Sequence, residues 1–185
     1  MKINILCLSI LIVGCGQQQQ SGDPRTIHGI DPAFTQYVQE FEAYIPGGNI
    51  GDIPIGFAAQ SGQVIGVCEI WTSGYRDIKV DPTFWNGTSD EYTRRSLIFH
   101  ELGHCVLDRA HLATTTLVNP SLPYNFLTNP TIYVSFMNPY IFFDGSQSSL
   151  QDYYINELFH PAIGVPMLYN SSNLVDDHAC VRHMN

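Results

Sequence analysis

Four residues near the middle of the chain could together bind and use a metal ion. His100 and His104 are four residues apart, so on a helix they share a face and can offer two imidazoles to one metal. Glu101 follows His100 and could reach a water on that metal, and His111 adds a third imidazole further along the chain. Three nitrogen ligands, a carboxylate base and a position for water make a catalytic zinc site. The stretch therefore predicts hydrolytic chemistry with Zn2+ as the cofactor.

The expected reaction is hydrolysis of a peptide bond. Glu101 would take the proton of the attacking water and return it to the leaving amine. The zinc would polarise the carbonyl and stabilise the oxyanion. Peptides or proteins are the substrates that this chemistry predicts.

The stretch 100–111 resembles the metzincin pattern His-Glu-x-x-His-x-x-Gly-x-x-His. The step from His104 to His111 is one residue longer than in that family, and Asp108 stands where the family has its glycine. Asp tolerates the left-handed conformation better than most residues, so the turn can still form. The resemblance implies that His111 is the third ligand; the alternative is a surface histidine, with the third ligand elsewhere.

A second metzincin mark follows in Ser135-Phe136-Met137, which resembles the family's methionine turn. The resemblance implies that Met137 is an apolar floor beneath the histidines and not a ligand. Pro139 and Tyr140 would then form a wall of the pocket for the side chain after the scissile bond. Tyr140 comes one position later than the tyrosine that serves as a ligand or hydrogen-bond donor in some metzincins.

The resemblance also implies an α+β fold of zincin type. A twisted mixed sheet and the active-site helix would form an upper lobe, about residues 26–107, above a small irregular lower lobe, about residues 108–185. Residues 64–71 would be the edge strand above the cleft, where a peptide could bind as an added strand.

Three cysteines remain after the N-terminal region, and an oxidising exterior would allow one disulfide among them. The sequence leaves all three pairings of Cys68, Cys105 and Cys180 open. In the implied fold a strand and the active-site helix are neighbours, which favours Cys68–Cys105.

Local patterns predict the elements that position these residues. Asp31 can cap a helix whose apolar residues recur every three to four positions, and Ser89 can cap the helix that carries the motif. Residues 112–133 and 162–185 read as irregular. The predicted helices are 31–45, one from 89 through the motif, and 150–159; the predicted strands are 53–59, 64–71 and 77–80.

The N-terminus reads as an export signal. Lys2 precedes a short apolar run, and the small residues before Cys15 resemble the bacterial lipobox. That resemblance implies a signal peptide over residues 1–14, and a lipid anchor on Cys15 with a flexible spacer over residues 15–25. The protein would be anchored to a bacterial membrane, at the outer membrane or cell surface; the alternative is an ordinary signal peptide.

Composition limits the kinds of partner and function that the chain can have. A net charge of −9 argues against nucleic acid as a partner. An apolar content of 44% in 185 residues suits one catalytic domain, over residues 26–185 and expected to be monomeric. Two other functions stay open: a different zinc-peptidase clan with Asp144 or Glu157 as third ligand, and a non-enzymatic surface lipoprotein that keeps a zinc-binding scaffold for a partner.

Overall fold

The protein folds as a mixed α+β structure. The structure is a computed structural model, and it describes residues 27–113, 115–117, 131–139, 150–161 and 180–182. The expected signal peptide, Cys15, Tyr140 and Asp144 lie outside the described residues. Within those residues, no helix combines the length and apolar character needed to cross a bilayer.

A mixed sheet forms one layer of the fold. Its body has three strands, of which β1 pairs parallel with β3 and β3 pairs antiparallel with β2. A short strand, β6, pairs antiparallel with the other side of β2, so the strand order is β1-β3-β2-β6. The strands are β1 (Ile55–Phe57), β2 (Val64–Ile70), β3 (Arg76–Val80) and β6 (Cys180–Arg182).

Helices pack on one face of this sheet around a common aromatic core. The central helix, α3, lies against β2 and β3, and its residues from Ser96 to Cys105 are buried without a break. Phe41, Phe99 and Phe159 bring three helices together, with ring centroids 5.3 Å apart for Phe41–Phe99 and 4.9 Å apart for Phe41–Phe159. The helices are α1 (Thr35–Glu42), after a 3-10 turn over Pro32–Phe34, α2 (Pro82–Gly87), α3 (Glu91–Cys105) and α4 (Gln151–Phe159).

Several predicted element boundaries need correction. Asp90, not Ser89, caps α3, because its carboxylate accepts a hydrogen bond from the backbone N–H of Thr93 at 2.8 Å. The prediction overlooked α2, although Asp81 caps it and Pro82 occupies its first turn. Residues 112–133 contain two short antiparallel strands, β4 (Thr115–Leu117) and β5 (Thr131–Tyr133), which cross-pairing stabilises despite weak local patterns.

The prediction that residues 64–71 form a free edge strand is wrong. Residues 162–185 were expected to be irregular, but β6 lies within them and takes the edge position beside Val64, Gly66 and Val67. The pairing joins segments more than a hundred residues apart, so no local pattern could reveal it. Only the part of β2 beyond Val67 lacks a second strand within the described residues.

The face of the sheet turned away from α3 carries a buried carboxyl group. Cys68 points to α3, so its neighbour Glu69 and the cross-strand partner Asp77 point the other way. Asp77 is fully buried, neither of its carboxylate oxygens accepts a hydrogen bond of good geometry, and the Lys79 Nζ is 3.9 Å away. Burial, followed by the charge of Glu69, raises the pKa of Asp77 to about 6.

Asp77→Asn should therefore change the pH dependence of stability. The folded-state pKa of Asp77 is above the unfolded value, so its stabilising contribution is full below about pH 4 and is lost as the pH rises through 6. We expect the free energy of unfolding of the variant, relative to the wild type, to rise by about 2 kcal/mol between pH 4 and pH 8.

Urea unfolding of both proteins at a series of pH values measures this difference. The matched control is Asp52→Asn, because Asp52 is exposed. A difference between Asp77→Asn and wild type that is the same at all pH values would contradict the assignment.

Candidate metal centre

The structure brings His100, His104 and His111 together at one point. The three Nε2 atoms are 3.0 Å (His100–His111), 3.0 Å (His100–His104) and 3.1 Å (His104–His111) apart. His100 and His104 lie one turn apart on α3 and are buried, whereas His111 comes from the following loop and is half-buried. Among the described residues these three side chains form a group that could hold a metal ion.

Backbone carbonyls fix the orientation of the two helical imidazoles. His104 Nδ1 donates to the carbonyl of Arg109 at 2.5 Å, and His100 Nδ1 donates to the carbonyl of Phe136 at 3.4 Å. Because a carbonyl can only accept, each Nδ1 carries the proton and each neutral Nε2 presents a lone pair. The facing His100 and His104 Nε2 atoms therefore cannot hydrogen-bond to each other.

A bound cation would relieve this crowding of the two lone pairs. In a tetrahedral site with zinc–nitrogen bonds of about 2.0–2.1 Å, ligand nitrogens lie roughly 3.3–3.4 Å apart, which is close to the spacing seen here. Burial lowers the pKa of His100 and His104 well below the usual range, and neighbouring imidazoles lower it further. The site thus favours neutral imidazole, the form that binds a metal.

The loop that delivers His111 depends on an unusual backbone conformation. Asp108 has a φ of +54°. Among the described residues it is the only one other than glycine that has a positive φ. Its carboxylate pairs with Arg76 on β3 at 2.6 Å, and the same guanidinium donates to the Cys105 carbonyl at the end of α3. Arg76 therefore holds Asp108 in the left-handed turn that lies between His104 and His111.

Met137 lies directly under α3. It is fully buried, and a Cβ added to Gly103 would lie 2.6 Å from its sulfur, so the absence of a side chain at Gly103 permits the contact. The turn also supports both ends of the site: the Phe136 carbonyl accepts from His100, and the Met137 carbonyl accepts from the Leu112 N–H at 2.8 Å. Pro139 follows this turn and is half-buried.

A buried ion pair anchors this methionine turn to α4. Arg109 is 1% exposed, and its guanidinium pairs with the Glu157 carboxylate and donates to the Leu158 carbonyl at 2.6 Å. Glu157 also accepts from the Ser135 hydroxyl at 3.0 Å and from the Phe136 N–H at 2.8 Å. Glu157 is thus committed to this network, which argues against its role as a metal ligand.

Glu101 lies on the side of α3 that faces the sheet, whereas Met137 packs against a different side of the helix. Its carboxylate is fully buried, and neither oxygen accepts a hydrogen bond of good geometry. Gly66 on β2 makes room for it, since a Cβ there would lie 2.8 Å from the Glu101 Oε1. Burial raises the pKa of Glu101 well above its usual range, with the backbone N–H of Cys68 acting in the opposite direction.

A disulfide joins Cys68 on β2 to Cys105, one residue after His104. This is the pairing that the expected proximity of strand and helix favoured. It fixes the C-terminal end of α3 to the sheet beside Glu101 and the metal ligands.

Comparisons with protein-family models, curated proteins and solved structures found no match to this chain. The assignment of a candidate metal site therefore depends on the positions of the three histidines alone.

Sequence reasoning found the three histidines, Glu101 and Met137 but missed the residues that support them. Arg76 is 32 residues away from its partner Asp108 in the sequence. Glu157 is 48 residues away from its partner Arg109. Gly66 and Gly103 act by lacking a side chain, which no motif pattern signals.

Asp108→Ala should destabilise the protein more than Asp108→Gly does. Both substitutions remove the pair with Arg76, but only alanine keeps the strain of a positive φ, which costs about 1–2 kcal/mol. We expect the free energy of unfolding of the alanine variant to be lower than that of the glycine variant by this amount. Denaturant unfolding measures it, and equal stability of the two variants would contradict the strained turn.

His111→Ala should weaken metal binding as strongly as His104→Ala, by more than about 100-fold, because each removes one of three ligands. Chelator competition with metal analysis of the purified protein measures this loss. His160→Ala serves as control, since His160 is exposed on the segment after α4. Full metal content in His111→Ala would remove it from the ligand set.

Proposed function

We propose that the protein is a zinc-dependent endopeptidase of metzincin type. It would be exported, lipid-anchored through Cys15 to a bacterial membrane at the outer membrane or cell surface, and active as a monomer on peptide or protein substrates. The three converging imidazoles support the metal site, and the methionine turn under α3 supports the zincin-type arrangement. The export signal and the lipobox resemblance support the location.

One observation carries the catalytic proposal. Glu101 is a fully buried carboxylate without a hydrogen bond of good geometry, and it follows the candidate ligand His100 in the sequence of α3. Burying an unpaired carboxylate is costly, and such groups in proteins are usually paired or serve a function. A purely structural zinc site has no need of this group, whereas a hydrolytic site needs a base there.

The ligand set also favours catalysis. Three histidines leave one position of a tetrahedral ion for water, which is the pattern of catalytic zinc sites, whereas structural sites are closed by four protein ligands. Imidazole also suits copper, nickel and iron, so the choice of zinc rests on the combination of three histidines with a neighbouring base.

The chain's own residues divide the work of hydrolysis. A zinc ion held by His100, His104 and His111 would supply a water whose pKa is lowered to about 7 and would polarise the substrate carbonyl. Glu101 accepts the proton of the attacking water and passes it to the leaving amine. A nearby divalent cation favours the ionised carboxylate and so opposes the effect of burial on Glu101. The carbonyls of Arg109 and Phe136 hold the histidines in place throughout.

Glu101→Gln should keep the metal and lose peptide cleavage. The amide has nearly the same shape but cannot accept the proton, so we expect kcat to fall by about 10²–10⁴-fold with metal content unchanged. A peptide library analysed by mass spectrometry, together with metal analysis, measures both quantities.

Asp52→Asn, which neutralises an exposed carboxylate, is the control and should leave both unchanged. Full activity in Glu101→Gln would assign the base elsewhere. A zinc-loaded wild type that cleaves no peptide would instead favour the partner-binding scaffold.

A further inference from the structure

The chain's own C-terminal strand occupies the sheet edge beside the proposed base. β6 runs antiparallel to β2, with Val64 opposite Arg182, Gly66 opposite Val181 and Val67 opposite Cys180. The register shifts between Val64 and Gly66, so the pairing contains a bulge or irregularity. Among the described residues, no other strand pairs with this edge of β2, so without β6 it would be open to an added strand.

The same stretch of β2 contacts the catalytic helix. Gly66 is the residue of β2 on which an added Cβ would meet both Leu97 and Glu101 of α3, at 2.6 Å and 2.8 Å. Its partner in the neighbouring strand is Val181. Adjacent strands lie about 4.8 Å apart, so the backbone of β6 passes one strand spacing from the residue that touches Glu101.

An extended peptide that approached Glu101 along β2 would use the same main-chain groups. Peptides that add to a sheet edge gain affinity from backbone hydrogen bonds to that edge. Along Val64–Val67 those positions are already paired with β6. A substrate strand and β6 therefore exclude each other over this part of the edge.

The pairing is short enough to open. β6 has three residues and its pairing with β2 is irregular at one point, so few main-chain bonds hold this short strand. It lies at the edge of the four-stranded sheet, so its release leaves the pairing of β1, β3 and β2 intact.

We propose that the strand Cys180–Arg182 is an autoinhibitory segment that occupies the substrate edge of β2 beside Glu101. This inference rests on the proposed endopeptidase function, and it names how access to that site is regulated. If the open form makes up about 1–10% of the molecules, the apparent affinity for substrate falls roughly 10–100-fold in the intact chain.

Removal of the strand tests the proposal. A chain that ends at residue 179 lacks β6, and the control chain that ends at residue 183 retains it. We expect the shorter chain to have a kcat/KM on peptide substrates higher by about 10–100-fold, carried mainly by a lower KM, and the control to match the full chain. Unchanged kcat/KM in the shorter chain, with its metal content and folded spectrum intact, would overturn the proposal.

Two readouts work without any cleavage and so separate this proposal from the proposed function. Amide hydrogen exchange at residues 64–67 should rise in the shorter chain, and a fluorescent peptide of residues 176–185 should bind to the shorter chain and not to the full chain. If no form cleaves peptides but both readouts appear, β6 does occupy the edge of β2. The autoinhibitory role is then wrong together with the proposed peptidase function. If cleavage occurs but neither readout appears, the inference alone is wrong.

Point substitutions keep the test open if the shorter chain fails to fold. Successive N–H groups of a strand point to opposite sides, so the N–H of one of the two residues Val181 and Arg182 faces β2. Proline at that residue removes a hydrogen-bond donor from the pairing. We expect Val181→Pro or Arg182→Pro to raise kcat/KM and exchange at residues 64–67, with Val181→Ala as control. Wild-type values in both proline variants would contradict an occupied edge.

Discussion

The candidate site depends on three imidazoles whose Nε2 atoms meet at one point. The lone pairs of His100 Nε2 and His104 Nε2, which are 3.0 Å apart, repel each other, so the surrounding chain must hold the two rings in place. Backbone carbonyls of Arg109 and Phe136 provide this hold through the Nδ1 protons. Both carbonyls lie in segments that are themselves fixed by the Arg109–Glu157 pair, so one buried network orients both helical ligands.

Helix α3 packs between two surfaces that approach it unusually closely. Gly66 lets the sheet reach Glu101, and Gly103 lets Met137 reach the opposite side of the same helix. A methyl group at either position would have to displace a fully buried side chain in a close-packed interior, where added atoms usually cost about 1–3 kcal/mol. The two glycines thus set how closely Glu101 approaches the sheet and how closely α3 approaches Met137.

Prediction from the sequence succeeded where the signal is local. The spacing of His100 and His104 follows from helix geometry, and the tolerance of Asp for a left-handed conformation anticipated the turn at Asp108. The cap of α2 by Asp81 was also readable in the sequence and was overlooked.

What could not be predicted involves contacts between distant parts of the chain. The ion pair between Arg76 and Asp108 joins a strand to a loop, and the pairing of β6 with β2 joins the middle of the chain to its end. Neither leaves a periodic pattern, because each depends on the assembled fold and not on neighbouring residues. The interpretation of residues 64–71 as a free edge failed for this reason.

The disulfide between Cys68 and Cys105 has a consequence for the order in which the molecule is built. It closes a span of 37 residues that contains β3, α2 and nearly all of α3, and in the chain-entropy account such closure favours the folded state by about 4 kcal/mol. A newly made chain with reduced thiols lacks that restraint next to His104. The fold around His104 would therefore reach its full stability only after the two thiols are oxidised.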